Sequence, residues 1–177
     1  MSEAVNEGGV WMALRRTGKG SRKGVPLSHW LRVSPEDVDF LRDKKWRFYG
    51  PPQTRQSYAR LKDGSPNGTT LHRVLAKRAG ILTDESMLVD HINGDPHDCR
   101  RENLRQCTCA QNSQNIRAST RSSHGYRGVA IAARGRFSAR VCVGGRRHFL
   151  GYFSTPQEAS VVAAEFRRKA MPFAVDR

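Results

Sequence analysis

The hydrophobic pattern of residues 126–170 changes period once, and that change narrows the possible folds more than any other feature of the chain. YRGVAIA, RFSARVCV and RRHFLGY carry apolar residues at strand spacing. In the second, Phe137, Ala139, Val141 and Val143 share one side, while Arg136, Ser138, Arg140 and Cys142 share the other. Gly144-Gly145 makes a two-residue hairpin turn, which sets Val143 opposite Arg146 and Arg140 opposite Phe149. Thr155-Pro156-Gln157-Glu158 then reads as a capping box with proline at the first helical position. Beyond it Ala159, Val162, Ala163, Phe166 and Ala170 fall on one helical face. The implied unit is a three-stranded antiparallel sheet packed on one helix. The helix covers the Phe137/Val141 side, joined by Leu150. The open side shows Arg136, Arg140, Arg147 and Phe149.

Such a unit accounts for less than a third of 177 residues. Apolar residues make up 37% of the chain, low for a single filled core and better matched to two small ones. Lys and Arg number 31 against 16 Asp and Glu, a net charge of +15. Neutralising a polyanion releases its counterions, so this balance favours nucleic acid or an anionic surface as partner. Residues 121–177 hold 11 basic and 3 acidic residues, against 20 and 13 in the first 120. A membrane is the weaker choice, because no apolar run approaches the roughly 20 residues of a spanning helix. The start, MSEAVNEGGVW, is acidic and lacks an apolar signal core, so the chain reads as cytoplasmic. Cys99, Cys107, Cys109 and Cys142 lack the two spaced pairs of a zinc site. They read as reduced thiols, and no structural zinc is expected.

Residues 1–26, with RRTGKGSRKG, read as a flexible basic arm. Residues 27–120 form a first domain, 121–125 a linker, and 126–177 the sheet-and-helix domain. Within the first, SPED at 34–37 starts a helix on Ser34, with Val38 and Leu41 on its inner face. KWRFYG and SYARL are short strands. LHRVLAKRAGI has helical spacing at Leu71, Val74, Leu75 and Ala79.

The densest polar signal is LVDHINGDPHDCRRENLRQCTCAQNSQNIR, residues 88–117. Leu88-Val89 delivers Asp90 and His91 to a strand end, and NGDP turns the chain. Asn93 forms that turn beside Gly94, while His97 and Asp98 read as solvent-facing. Thr108 and Gln111 make a second capping box, with the helix beginning near Cys109 and Asn112 early in it. Asn115 reads as an exposed helix position. Strand end and helix start can thus aim polar groups at one spot. Phosphodiester hydrolysis needs such a cluster: a near-neutral histidine to take a proton from water, and a hard cation to stabilise developing charge. Magnesium prefers oxygen ligands and keeps several waters. Asp90 and Asn112 offer the oxygens and His91 the base. Arg100, Arg101 and Arg105 are placed to grip phosphates.

Asp90-His91-Ile92-Asn93, then Asn103-Leu104, then Asn112 resemble the HNH endonuclease family, in the branch found in phage and homing endonucleases. The resemblance covers about residues 30–118. It implies a ββα-metal (His-Me finger) core and one divalent cation, Mg2+ or Mn2+, held by Asp90 and Asn112. It implies His91 as general base, and Asn103 as the residue that buttresses the loop and orients His91. Family members cut or nick DNA to leave a 5′-phosphate and a 3′-hydroxyl.

YRGV, GRFSARV and FLGYFSTPQEAS resemble the plant ethylene-response-factor (apetala-type) DNA-binding domain, from Tyr126 to about Ala170. That resemblance implies Arg127, Arg134, Arg140, Arg147 and Phe149 as DNA-facing. Ala130, Ala132 and Cys142 replace arginines usual in plant members, so plant target sequences do not transfer. The combined expectation is an α+β protein that hydrolyses double-stranded DNA as a monomer or weak dimer, encoded by a phage or mobile element. The alternatives are a non-catalytic DNA-binding regulator and an RNA-binding accessory protein.

Overall fold

Val10 and Met12 on one strand lie opposite Val33 and Leu31 on another, and all four are buried. Residues two apart on a strand share a face, so these pairs make one apolar side of a sheet. The structure, a computed structural model, describes residues 3–6, 9–15, 28–44, 46–49, 58–61, 68–115 and 125–175. They divide into two units, Met1–Thr108 and Cys109–Arg177, and each has its own core.

The first unit opens with the antiparallel sheet β1 (Glu3–Asn6), β2 (Gly9–Arg15) and β3 (Ser28–Val33), with β2 in the middle. This corrects the reading of residues 1–26 as a flexible arm: residues 3–6 and 9–15 are strands. The basic stretch after Arg15 lies outside the described residues. A single 3-10 turn, Pro35–Asp37, leads into α1 (Val38–Arg42), whose Val38 and Leu41 are buried. Ser34 stands at its start without a side-chain cap; its Oγ accepts instead from the Arg101 N–H at 2.9 Å. β4 (Trp46–Tyr49), β5 (Tyr58–Leu61) and β6 (Thr69–Thr70) form a second antiparallel sheet. Trp46 is buried and donates from Nε1 to the Leu41 carbonyl at 3.1 Å. α2 (Leu71–Arg78) buries Leu71, Leu75 and Ala76, the face set by its spacing. A two-stranded sheet, β7 (Leu88–His91) and β8 (Leu104–Cys107), completes the unit.

The second unit begins with α3 (Cys109–Asn112), a single turn. This differs from the expected boundary at residue 121. Gln114, just past α3, accepts from Arg127 Nη1 at its carbonyl, 2.9 Å, and from the Phe173 N–H at its side chain, 3.2 Å. Those bonds tie residues 109–115 to the C-terminal fold; most of the expected linker lies outside the described residues.

β9 (Val129–Ile131), β10 (Phe137–Val143) and β11 (Arg146–Phe153) form an antiparallel sheet with β10 central. The hairpin register sets Val143 against Arg146 and Arg140 against Phe149, as the two-residue turn requires. Gly144 and Gly145 both take positive φ, 55° and 80°, which a side chain at either position would strain. α4 (Pro156–Ala170) starts on the expected capping box: Thr155 Oγ1 accepts from Glu158 N at 3.2 Å, and Glu158 Oε2 accepts from Thr155 N at 3.3 Å. Ala159 and Ala163 are buried against Val129, Ala139 and Val141, with Leu150 and Phe166 packed beside them. No helix among the described residues is long and apolar enough to cross a membrane.

Candidate active site

The β7–β8 pair places the two central residues. In its register Asp90 lies opposite Arg105 and His91 opposite Leu104. Side chains alternate along a strand, so Asp90 and His91 leave β7 on opposite faces. On one face Asp90 Oδ2 accepts from Arg105 Nε at 3.0 Å and Nη2 at 2.8 Å. On the other, the His91 ring meets the ring of His72 at the start of α2, centroids 5.0 Å apart. His91 Nε2 also lies 3.6 Å from Cys99 Sγ.

Burial pushes the His91 pKa below its ordinary value, and the nearby carboxylates Asp90, Asp95 and Asp98 offset part of that. The imidazole is therefore neutral at pH 7, the form that accepts a proton. Burial pushes the Cys99 thiol up, and Asp98 and Asp95 add to it. Cys99 is thus a neutral thiol beside His91, unlike the thiolate of a cysteine nucleophile.

The loop after β7 is closed by Asn103. Its Oδ1 accepts from the Asn93 N–H at 2.9 Å, and its Nδ2 donates to Asn93 Oδ1 at 3.0 Å and the Asp98 carbonyl at 2.6 Å. The Asn103 carbonyl takes the Ile92 N–H at 2.8 Å. Gly94, with φ of 61°, makes the turn and donates to the His91 carbonyl at 2.8 Å. On its far side the loop bonds to β3: Arg32 N donates to the His97 carbonyl at 2.8 Å, and Cys99 N donates to the Arg32 carbonyl at 2.7 Å.

That contact corrects one expectation. His97 and Asp98 are buried, at 9% and 4% exposure, rather than solvent-facing. The sequence signal was hidden because the covering strand lies more than 60 residues earlier.

The three arginines expected at phosphates each hold a carboxylate. Arg100 grips Asp98 with Nε on Oδ1 and Nη2 on Oδ2, both 2.8 Å, and also pairs with Glu102. Burial opposes charge on Asp98, but Arg100 outweighs it and holds the carboxyl below its usual range. Arg101 grips the fully buried Asp37 in the same way, at 2.8 and 2.7 Å, with Arg78 adding a third bond at 3.2 Å. The bond to Asp37 raises the Arg101 pKa. Arg105 is the one on Asp90. Asp37 and His72 were missed at the sequence level; each sits in an apolar helical pattern that marks it as neither buried nor functional.

Residues 70–114 match a family model described as HNH endonuclease. No curated protein matches the chain, and no solved structure does. The HNH match spans about a quarter of the chain and takes in His72, Asp90, His91, Asn103 and Asn112. It supports nuclease activity on DNA.

Metal chemistry of the HNH kind has to be compatible with these residues. Among the described residues no three His, Cys, Asp or Glu side chains group as metal ligands. A hard cation such as Mg2+ takes carboxylate and amide oxygens and keeps several waters, and Asp90 is the residue of this strand end that could supply the carboxylate. Its carboxylate, on a side chain only 10% exposed, already accepts from the Arg105 guanidinium. Asn112 ends α3 in the second unit.

In the second unit the open sheet face carries Arg140, Cys142, Arg147 and Phe149, all exposed. Phe149 is joined by Tyr152, ring centroids 5.0 Å apart, and both are about half exposed. The Arg136 guanidinium lies 4.9 Å from the Tyr152 ring and that of Arg140 6.0 Å from Phe149. Arg134 is exposed at the turn between β9 and β10. Arg127 is half-buried, tied to Gln114 and, through its carbonyl, to the buried Arg167 at 3.0 Å. Tyr152 was missed because a bulge between Ala139 and Arg140 shifts the register. Strict alternation pairs Phe149 with Gly151; the bulge brings Tyr152 to its side instead.

Proposed function

We propose that the protein is a divalent-metal-dependent DNA endonuclease, with His91 as general base and Asp90 as a metal ligand. Asn112 is its companion ligand by the sequence pattern. The supporting observation is the coincidence of the HNH match with a strand end that holds Asp90 and a neutral, enclosed His91 above a loop closed by Asn103. A bound Mg2+ or Mn2+ would stabilise charge on the phosphate and the leaving oxygen. His91 takes a proton from water as its oxygen bonds to phosphorus. The P–O3′ bond breaks, and the 3′ oxygen takes a proton from solvent, leaving a 5′-phosphate and a 3′-hydroxyl. One such site acts on one strand at a time, so a monomer nicks.

The C-terminal sheet, with Arg134, Arg136, Arg140, Arg147 and Phe149, is proposed to hold duplex DNA in the manner of the ethylene-response-factor domain. Arginines on a sheet can read guanine edges in the major groove. A phage or mobile-element source and a cytoplasmic setting belong to the same reading.

The test is nicking of supercoiled plasmid in Mg2+ or Mn2+. His91→Ala should lower the rate at least a hundredfold, the scale of a lost general base, while DNA affinity holds. An undiminished rate removes His91 from the role. The Arg105–Asp90 pair favours one other reading, a regulator that binds DNA without cutting. Specific binding with no cleavage under any divalent ion would decide for it.

A further inference from the structure

The bulge in the C-terminal sheet builds a patch that strict alternation would not. Ser138 and Arg140 share one face of β10, and their partners across the hairpin are Tyr152 and Phe149. Two residues three apart on β11 therefore stand side by side, ring centroids 5.0 Å apart and planes at 64°. Ala130 of β9 lies opposite Ser138 on the other flank, so Ala130, Ser138 and Tyr152 form one row of the face. Ser138 is buried, and its hydroxyl donates to the Ala130 carbonyl at 3.3 Å. The centre of the face is thus largely apolar, with Tyr152 51% and Phe149 53% exposed. Single exposed hydrophobics are ordinary on a surface, whereas adjoining ones mark a contact site.

We infer that this patch reads thymine: Phe149 and Tyr152, with Ala130 beside them, take thymine 5-methyl groups in the major groove of duplex DNA. The inference rests on the proposed role of the sheet in holding DNA, and adds what the face distinguishes. Charge fits that partner, since residues 126–153 contain six arginines and no Asp or Glu. Arg136, Arg140 and Arg147 are exposed around the rings, where guanidinium groups can reach phosphates. The rings are poorly placed to stack unpaired bases. Stacking needs an open ring face, and a guanidinium lies over one face of each: Arg136 at 4.9 Å from the Tyr152 centroid and Arg140 at 6.0 Å from that of Phe149. A thymine methyl asks only for apolar surface, and it is the one apolar group that an unmodified base pair shows in the major groove. Phe149 and Tyr152 are in this sense specificity-determining residues.

The test is competition binding of the full chain, in EDTA, to alternating dA·dT, dA·dU and dG·dC duplexes of equal length at one salt concentration. Affinity for the dA·dU duplex should be about fourfold lower than for dA·dT, equivalent to about 0.8 kcal/mol, the scale of one buried methyl group. Methylating cytosine at C5 puts a methyl in the same groove and should raise affinity for the dG·dC duplex. Tyr152→Phe should keep the preference for thymine over uracil, whereas Phe149→Ser and Tyr152→Ser should each shrink it. Equal affinity of the wild-type chain for the dA·dT and dA·dU duplexes overturns the inference, needs no folded variant, and leaves the sheet as a DNA surface. A preference undiminished in both serine variants also overturns it, because the methyl is then read elsewhere. Tighter binding of single-stranded dT than of any duplex overturns it in favour of base stacking. No salt-dependent binding to any duplex overturns the DNA-holding role of the sheet and the inference with it.

Discussion

The ring of His72 meets the ring of His91 nearly edge-on, with planes at 65° and centroids 5.0 Å apart. Thr70 Oγ1 lies 3.3 Å from His72 Nε2, fixing the ring from the other end. Two imidazoles this close repel if both are charged. Burial pulls the His72 pKa from 6.5 down to about 3, with His91 and Arg73 adding to the shift.

Acid should therefore weaken the first unit as the pH falls below 6.5. The unfolded chain protonates His72 below pH 6.5, while the fold resists until about pH 3. Stability is complete above pH 6.5 and falls as pH drops, by up to about 1.4 kcal/mol per pH unit from this one group. His72→Gln keeps a partner for Thr70 and cannot titrate. Urea unfolding at pH 7, 5.5 and 4 should show a shallower pH slope in the variant. Equal slopes would exclude His72 as the source.

Asn103 satisfies three polar atoms of the loop after β7 with one side chain. Truncating it in Asn103→Ala leaves the Asn93 N–H and the Asp98 carbonyl short of partners. The expected loss is about 2–3 kcal/mol, within the scale for buried unsatisfied groups. Cleavage should fall as well, because the loop ends at His91. A variant as stable as wild type would show that water replaces the amide without cost.

Arg101 separates a structural from a DNA-binding role. Its partner Asp37 is fully buried. Arg101→Ala strands that carboxylate with Arg78 alone and should cost about 3 kcal/mol. The salt dependence of DNA affinity should not change. If stability holds and the salt slope instead drops by about one, Arg101 touches a phosphate.

Arg134 sits at φ 58° and ψ 35°, the left-handed region that costs a side-chain-bearing residue roughly 1 kcal/mol. Arg134→Gly should raise the unfolding midpoint of the second unit and weaken DNA binding together. Opposite signs in stability and affinity would mark strain kept for contact. A gain in stability with no loss of affinity would free Arg134 from the interface.

What could be read ahead of the structure was what is local. The Gly144-Gly145 turn and the Thr155–Glu158 box are set by neighbours in sequence, and strand register and helix start followed from them. Asp90, His91 and Asn103 stood out because their spacing belongs to one hairpin and its loop. The rest depended on distant partners. Met12 opposite Leu31 makes a strand of residues that read as an arm, with a basic stretch hiding the pairing. His97 and Asp98 are buried only because β3 reaches their loop. Tyr152 joined Phe149 through a bulge that alternation does not foretell.

The bonds between Arg32 and residues His97 and Cys99 give the N-terminal sheet a hold on the loop after β7. The HNH match begins at residue 70, yet one edge of its loop is fastened to residues that precede it. A fragment trimmed to residues 70–114 would keep every residue of the motif and lose the splint that sets its loop. Nuclease design that transplants the motif alone must supply an equivalent strand, or accept a loop whose shape is no longer inherited.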